Sequence, residues 1–448
     1  MKSSLSHPQT NSLRYKSDAV LVSPVNCLRG ELRIPGDKSI SHRAAMLSSL
    51  AQGESALENF SSAQDCAATL ECFRALGVSV VSNGFNAVIQ GSGASGIQAP
   101  ARVLDAQNSG TTMRLLAGIL AGQPFTSIIT GDDSLRSRPM LRVAEPLRLM
   151  GAQVELEANG CAPLRIEGRR PLQAIHYRPP IASAQIKSAV LLAGLSADGI
   201  TTVEEPAQTR DHSERLLQEF GARVERNGNS VSVQGGATLR ARSLVVPGDI
   251  SSAAFFIAAA AALPGSDLLM PWVGLNPTRT AFLSTLSAIG ADIQITDERL
   301  QAGEPVGTLR IRGSTLKEPQ TLEISGATIS NLIDELPLLG FLAASLGWEM
   351  KLRDAKELRV KESDRIAATV GNLSRMGARI EAHADGWHLY RGGKLHGAKL
   401  ESFGDHRIAM AAAVAALVAD GPSEIEGAVH SVAVSLPEFW TLLESVTE

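Results

Sequence analysis

Aromatic side chains make up only 4% of the 448 residues. That is too few for the stacking platforms on which single-stranded nucleic acid is bound. Charge of one sign is also missing: 42 Lys and Arg stand against 46 Asp and Glu, a net charge of −4. Such a balance argues against a nucleic-acid coat and against a polybasic membrane binder. Cysteine is scarce. Cys27, Cys66, Cys72 and Cys161 form no CxxC, no zinc spacing with histidine and no disulfide framework. A reducing, cytoplasmic compartment is the expectation. Long apolar runs are absent as well. The longest, Ile408–Ala419, has twelve residues, short of the roughly 18 that span a bilayer. The first 18 residues are polar and serine-rich with no hydrophobic stretch, and read as a short disordered tail.

What is present is apolar, at 44% of residues, and heavily alanine. That fraction excludes disorder as the main state, and the length suits two to four domains. The apolar residues fall into a repeat. A polar start, an alanine-rich helix and a closing glycine recur in Asp37–Gly53, Asn108–Gly122, Ser183–Gly199, Asp249–Gly265, Ser330–Gly347 and Asp405–Gly421. The closing glycines are 69, 77, 66, 82 and 74 residues apart.

A second pattern interleaves. Gly77, Gly151, Gly221, Gly290 and Gly377 each end an amphipathic stretch and open an alternating strand, as a helix does when it turns at a C-cap glycine. No sixth copy follows the last helix near Leu436–Val446. Its strand is expected from the N-terminal segment Ala19–Ile34, which would close the architecture on itself. Six units imply three per domain. The echo of Ile34-Pro35-Gly36-Asp37 in Val246-Pro247-Gly248-Asp249 marks two crossovers. The expected domains are 36–246, and 19–35 combined with 247–448.

Helices that begin with Asp, Asn or Ser are well capped. Their free N–H groups and partial positive charge suit phosphate. If equivalent helices point the same way, a slightly acidic protein still carries a local anion site. The motifs fall near these starts. PGDKSISHR places Lys38, Ser39 and Arg43 together, which suits a phosphate or carboxylate cradle, though a capped surface helix with two solvated cations would read the same. NSGTTMR offers Gly110, Thr111, Thr112 and Arg114, and equally suits an ordinary cap. SLRSR carries Arg136 and Arg138, by default solvated. Ser183 and Gln185 are neutral donors. Arg210 and His212 follow, the histidine reading as structural. Adjacent Asp334 and Glu335 sit in an apolar helix start, where a partly buried carboxylate has a raised pKa and can act as a base. The run Arg359–Arg365 alternates charge like a solvated helix. Asp405, His406 and Arg407 open the last repeat helix. Cations and hydroxyls from both halves point to a cleft between two domains.

Together and in order, PGDKSISHRA, NSGTTMRLLAG, SRPM, SAQIKSA, TRDHSE, VKESDR and GDHRIAMA resemble the 3-phosphoshikimate 1-carboxyvinyltransferase (EPSP synthase) family of enolpyruvyl transferases, over roughly Asn26–Trp440. The resemblance implies an α/β fold: a two-domain inside-out α/β barrel of six βαβαββ units, three per domain. It implies transfer of the enolpyruvyl group of phosphoenolpyruvate to the 5-hydroxyl of shikimate 3-phosphate, with no metal or organic cofactor. By motif match, Lys38, Ser39, Arg43, Ser183, Gln185, Arg210, Asp334 and Lys361 would bind shikimate 3-phosphate. Lys38, Gly110, Arg138, Gln185, Arg365 and Arg407 would bind phosphoenolpyruvate. Asp334 would be the base on the hydroxyl and Glu362 the proton donor to the methylene, with Lys38 and Lys361 stabilising charge or sharing proton transfer.

The implied partners are these two small molecules, with no nucleic acid or membrane, and the expected state is a monomer. One departure stands out. Some members carry a lysine where this chain has Val434. Gly110 leaves the space that glyphosate needs beside phosphoenolpyruvate, so sensitivity to it is expected. The rivals are the sister transferase acting on UDP-N-acetylglucosamine, whose active-site loop usually carries a cysteine absent from Asp132–Met140, and a non-catalytic anion-binding scaffold on the same fold.

Overall fold

Six helices rich in small and apolar residues cannot all lie on a surface. A helix that is apolar all round has no face to give to water. In the computed structural model, which describes residues 12–448 apart from Thr315, Glu318 and Gln320, these helices are buried. They are Lys38–Leu50, Gly110–Ala121, Ala184–Gly194, Ile250–Ala262, Leu336–Ser345 and His406–Val418. Every residue of Ile250–Ala262 is buried. Alanine keeps the helices slim, so neighbours approach closely: a Cβ placed on Gly118 would stand 2.2 Å from the backbone oxygen of Ala189 on the adjacent core helix.

Around the core helices, the described residues form six four-stranded sheets and one two-stranded sheet. The six share one pattern, a parallel pair followed by two antiparallel neighbours. In the second unit, Leu104–Asp105 pairs in parallel with Thr126–Thr130, and Leu164–Glu167 and Gln153–Glu155 continue antiparallel. Each unit also has an outer amphipathic helix. The five turns out of these helices place Gly77, Gly151, Gly221, Gly290 and Gly377 at φ between +84° and +96°, the left-handed C-cap that only glycine adopts without strain.

The sixth sheet is completed from the other end of the chain. Ser423–Glu426 pairs with Lys399–Glu401 on one side and with Ala19–Val22 on the other, and Leu13–Lys16 forms the outer edge. Residues 13–16 are therefore not part of a disordered tail. Leu13 is buried in the core and the Ser12 hydroxyl lies 3.0 Å from that of Thr447. The rest of the expected tail, residues 1–11, lies outside the described residues. Arg29–Glu31 then pairs with Asp267–Gly274 in the fourth sheet.

A second difference concerns the fifth core helix. It starts at Leu336, after a separate turn of helix at Thr328–Leu332. Pro337 explains the break. Proline lacks the N–H that would bond the carbonyl four residues back, but is tolerated in a first turn. The break leaves Asp334 and Glu335 just ahead of the helix.

Apolar side chains separate into two cores. One gathers residues between Ile40 and Val246. The other gathers Leu13–Ile34 with residues between Ile250 and Val446. Two strands cross between them, and they bond each other: the Asp37 amide donates to the Pro247 carbonyl (2.7 Å) and the Asp249 amide to that of Pro35 (3.0 Å). All four cysteines are unpaired and buried. Among the described residues no helix is long and apolar enough to cross a membrane.

The helix packing makes a paired prediction. Gly118→Val should destabilise the protein by about 1–3 kcal/mol, because backbone cannot yield as a side chain can. Gly371→Ala, in an outer helix with open space around it, should be neutral or stabilising by up to about 1 kcal/mol. Denaturant unfolding of the two variants checks this; equal midpoints would contradict the packing described.

Candidate active site

The core helices begin near one cleft, and their caps hold their starting residues in place. Asp37 accepts from the Ile40 amide (2.9 Å), Ser109 from Thr112 (3.1 Å), Ser183 from Ile186 (3.4 Å) and Asp405 from Arg407 (2.9 Å). These caps fix Lys38, Gly110, Gln185 and Arg407 at first or second helical positions. A cavity of about 420 Å3 opens between the two halves. Asp65, Asn108, Asp132 and Ser134 line it from one side, and Glu362, Gly404, His430 and Val434 from the other. Val434 gives this cleft an apolar side chain.

The polar centre is a chain of ion pairs. Asp334 is met by Arg210 from the first half and by Arg365 (3.2 Å) and Arg407 (3.6 Å) from the second. Arg407 also donates to the Asp334 backbone oxygen (3.0 Å) and lies 3.4 Å from Glu335. Arg365 reaches Glu362 at 2.6 Å and Asp405 at 2.8 Å. Across the cleft, Arg138 stands 3.6 Å from Glu362 and bonds Asn108 (2.8 Å). Lys38 donates to Asp65 at 2.9 Å.

The hydroxyl-rich end belongs to the first half. Arg43 is buried and donates to Ser213 (2.7 Å), Ser188 (2.9 Å) and the Ser39 carbonyl (2.9 Å). Gln185 accepts from Arg114 (2.7 Å) and donates to Thr111 (3.1 Å). A Cβ on Gly110 would come within 2.7 Å of the Arg114 guanidinium, so the glycine keeps that arginine in place.

The charges reverse one expectation. Burial alone would raise the Asp334 carboxyl, but Arg407, Arg210, Lys361 and Arg365 outweigh it and hold it well below the usual range. Glu362 behaves alike: burial opposes its charge, and Arg365, Arg138 and Lys361 overcome the penalty. Both carboxyls are thus ionised, and neither has the raised pKa read from the apolar surroundings of Asp334. Desolvation pushes the Lys361 ammonium down, with Asp334 only partly offsetting it. For Lys38, desolvation is outweighed by Asp65 and the net shift is upward. Burial and nearby arginines bring Arg43 and Arg114 to about 10. Burial also keeps His42 and His406 neutral, helped by the Lys38 charge.

Lys38, Arg138, Arg210, Asp334, Lys361, Glu362, Arg365 and Arg407 thus stand within one electrostatic network, with Arg43, Gln185 and Gly110 bordering it. The Ser183 hydroxyl is occupied as a cap, and Ser39 contributes its carbonyl. In each of two charge runs read as solvated, one arginine is not: Arg138 is buried, and Arg365 has 1% of its side chain exposed, while Arg136 stays exposed. His212 is structural, as read, with its Nδ1 2.7 Å from Glu304. Sequence reasoning missed Asp65, an isolated acid in an ordinary helix, which carries no local signal of its partnership with Lys38. Among the described residues no cluster of His, Cys, Asp and Glu is arranged to hold a metal ion.

Comparison with known proteins agrees with this architecture. The family model for EPSP synthase (3-phosphoshikimate 1-carboxyvinyltransferase) matches residues 22–443. The 3-phosphoshikimate 1-carboxyvinyltransferase of Desulforamulus reducens is 50% identical over 430 residues, covering 95% of this chain and 99% of that protein. That of Synechocystis is 50% identical over 428 residues, covering 94% of each. The structure of EPSP synthase from Acinetobacter baumannii superposes with a TM-score of 0.85 at 42% identity, covering 96% of this chain and 98% of that one. The match runs through both cores and every motif that builds the cleft, and the chain belongs to the EPSP synthase family.

Proposed function

We propose that this chain transfers the enolpyruvyl group of phosphoenolpyruvate to the 5-hydroxyl of shikimate 3-phosphate, releasing phosphate. The observation that carries the reading is a pair of carboxylates, Asp334 and Glu362, ringed by Arg138, Arg210, Arg365 and Arg407 from both halves. Two polyanionic substrates need such cations, and guanidiniums take phosphate and carboxylate bidentately. In the free protein the two carboxylates hold the arginines in their place.

Binding is then an exchange of anions. Shikimate 3-phosphate takes Arg210 together with Lys38, Ser39, Arg43, Ser183, Gln185 and Lys361. Phosphoenolpyruvate takes Arg138, Arg365 and Arg407, with Lys38, Gln185 and the space over Gly110. As substrate oxyanions engage the guanidiniums, Asp334 and Glu362 lose part of the positive field that depresses them and their pKa values rise. Asp334 accepts the proton of the 5-hydroxyl as its oxygen bonds to C2. Glu362, protonated in the complex, delivers a proton to the methylene carbon, which becomes a methyl group. The Glu362 carboxylate then takes back a methyl proton as phosphate leaves the tetrahedral adduct with the proton held by Asp334, and the double bond is restored. Lys38 and Lys361 stabilise the developing charge.

The two cores serve as two domains, 36–246 and 19–35 with 247–448, that close over the substrates and exclude water. The site is complete within one chain, which fits a monomer, and the reading places the enzyme in the cytoplasm with no nucleic-acid or membrane partner.

A coupled phosphate-release assay tests the reading. Release is expected with shikimate 3-phosphate and not with UDP-N-acetylglucosamine as acceptor; the reverse result, or none with either, overturns it. Asp334→Ala should lower kcat by about 10²–10⁴-fold, the range of a general base. Glyphosate should inhibit in competition with phosphoenolpyruvate. Turnover that persists undiminished at millimolar glyphosate would contradict the role given to Gly110.

A further inference from the structure

At the crossover between the halves lies a polar cluster that adjoins the site through Asp37 and Glu335. At its centre is Arg279, with 3% of its side chain exposed. Its Nη1 lies 3.5 Å from Asp37 and 3.3 Å from His212 Nε2, both in the first half. Its Nη2 lies 3.4 Å from Asp249 and donates to Ser251 in the second half. Asp37 and Asp249 are the caps of the first core helix in each half. They are also the two residues whose amides bond across the crossover. A single guanidinium therefore joins equivalent points of the two halves and bridges two buried carboxylates, Asp37 held below the usual range and Asp249, by burial and the Asp37 charge, pushed above it.

We infer that Arg279 is a positioning residue: it clamps the crossover and so sets the placement of Lys38 relative to Asp334 and Arg407. The inference rests on reading the cleft as the site of enolpyruvyl transfer. In one direction the clamp acts through Asp37, which starts the helix whose first residue is Lys38. In the other it acts through Ser251, which donates to Glu335. Glu335 adjoins Asp334 and lies 3.4 Å from Arg407.

The Arg279 segment is itself pinned from both sides. Asn276 donates to Asp211 (2.6 Å), the residue after Arg210, and to Glu304 (2.8 Å). A strained neighbour completes the arrangement. Trp272, at a bulge in its strand, adopts φ +61°, and its carbonyl accepts the Gly248 amide of the crossover at 2.8 Å. A non-glycine residue held in that conformation has to be over-determined by its surroundings.

The test uses full-length Arg279→Gln and Arg279→Lys. Three readouts apply: amide exchange at Asp37 and Asp249, affinity for shikimate 3-phosphate alone, and steady-state kinetics with phosphoenolpyruvate. In the Gln variant, exchange at the two amides should quicken about tenfold through local opening. Affinity for shikimate 3-phosphate, read mostly by the first half, should stay within about fivefold, while kcat/KM for phosphoenolpyruvate falls about 10²-fold, the scale of a displaced catalytic group. The Lys variant keeps the charge without the fork and should fall between; if the Gln variant does not fold, the Lys variant is judged by the same readouts. Unchanged exchange with kinetics within about twofold of the parent overturns the inference. So does a loss of shikimate 3-phosphate affinity equal to the loss in kcat/KM, which would mark a general structural role. A parent enzyme that releases no phosphate would reject the proposed reaction, and the exchange data alone would then decide whether the clamp exists.

Discussion

Arg365, almost wholly removed from water, is held by three carboxylates at once: Asp405 behind it, Glu362 beside it and Asp334 in front. A buried guanidinium is tolerated only when paired and hydrogen-bonded. Its partners come from three places in the second half, and two of them are shared with cations of the first half, Arg138 and Arg210. The requirement that this charge be neutralised draws together segments far apart in sequence. The same requirement keeps Asp334 and Glu362 ionised.

Helix N-termini sharpen the point. Lys38, Arg365 and Arg407 occupy first or second helical positions, where the helix dipole disfavours a cation. Each helix is capped by an aspartate, Asp37, Asp364 and Asp405, that offsets the local positive potential. Positive side chains and positive helix ends together make a cleft suited to phosphate and carboxylate. The net charge of −4 says nothing of this, because a sum over the chain carries no positions.

The repeat gives the cleft its symmetry, and the chain's path breaks it. The second, third and fifth units run continuously, while the first takes Leu244–Val245, the fourth takes Arg29–Glu31 and the sixth takes two strands from the beginning of the chain. The second core is therefore closed by residues that precede the first, and two strands must cross. Where they cross, caps and crossover amides belong to the same residues, Asp37 and Asp249, so the geometry of the connection and that of the site are not independent.

Much of this was legible in the residues. Alanine-rich helices, recurring glycines and alternating strands specified six units, because periodicity and C-cap chemistry are local properties. The order of the charged motifs likewise pointed to family and cleft. Other features were not legible. The strand at Leu13–Lys16 reads as polar tail, since only its pairing with Ala19–Val22 and the burial of Leu13 make it a strand. Pro337 could have signalled the break that frees Asp334, but the apolar run around it reads as one helix. Arg138 and Arg365 look solvated in their charge runs, and Asp65 and Arg279 carry no motif at all. The depressed pKa of Asp334 depends on four cations from positions 210 to 407. The sequence by itself determined helices, turns and the kinds of charge available. Which charge faces which, and hence which groups are ionised, was decided only by the tertiary structure, because Coulomb energy depends on distances in space that no local pattern encodes.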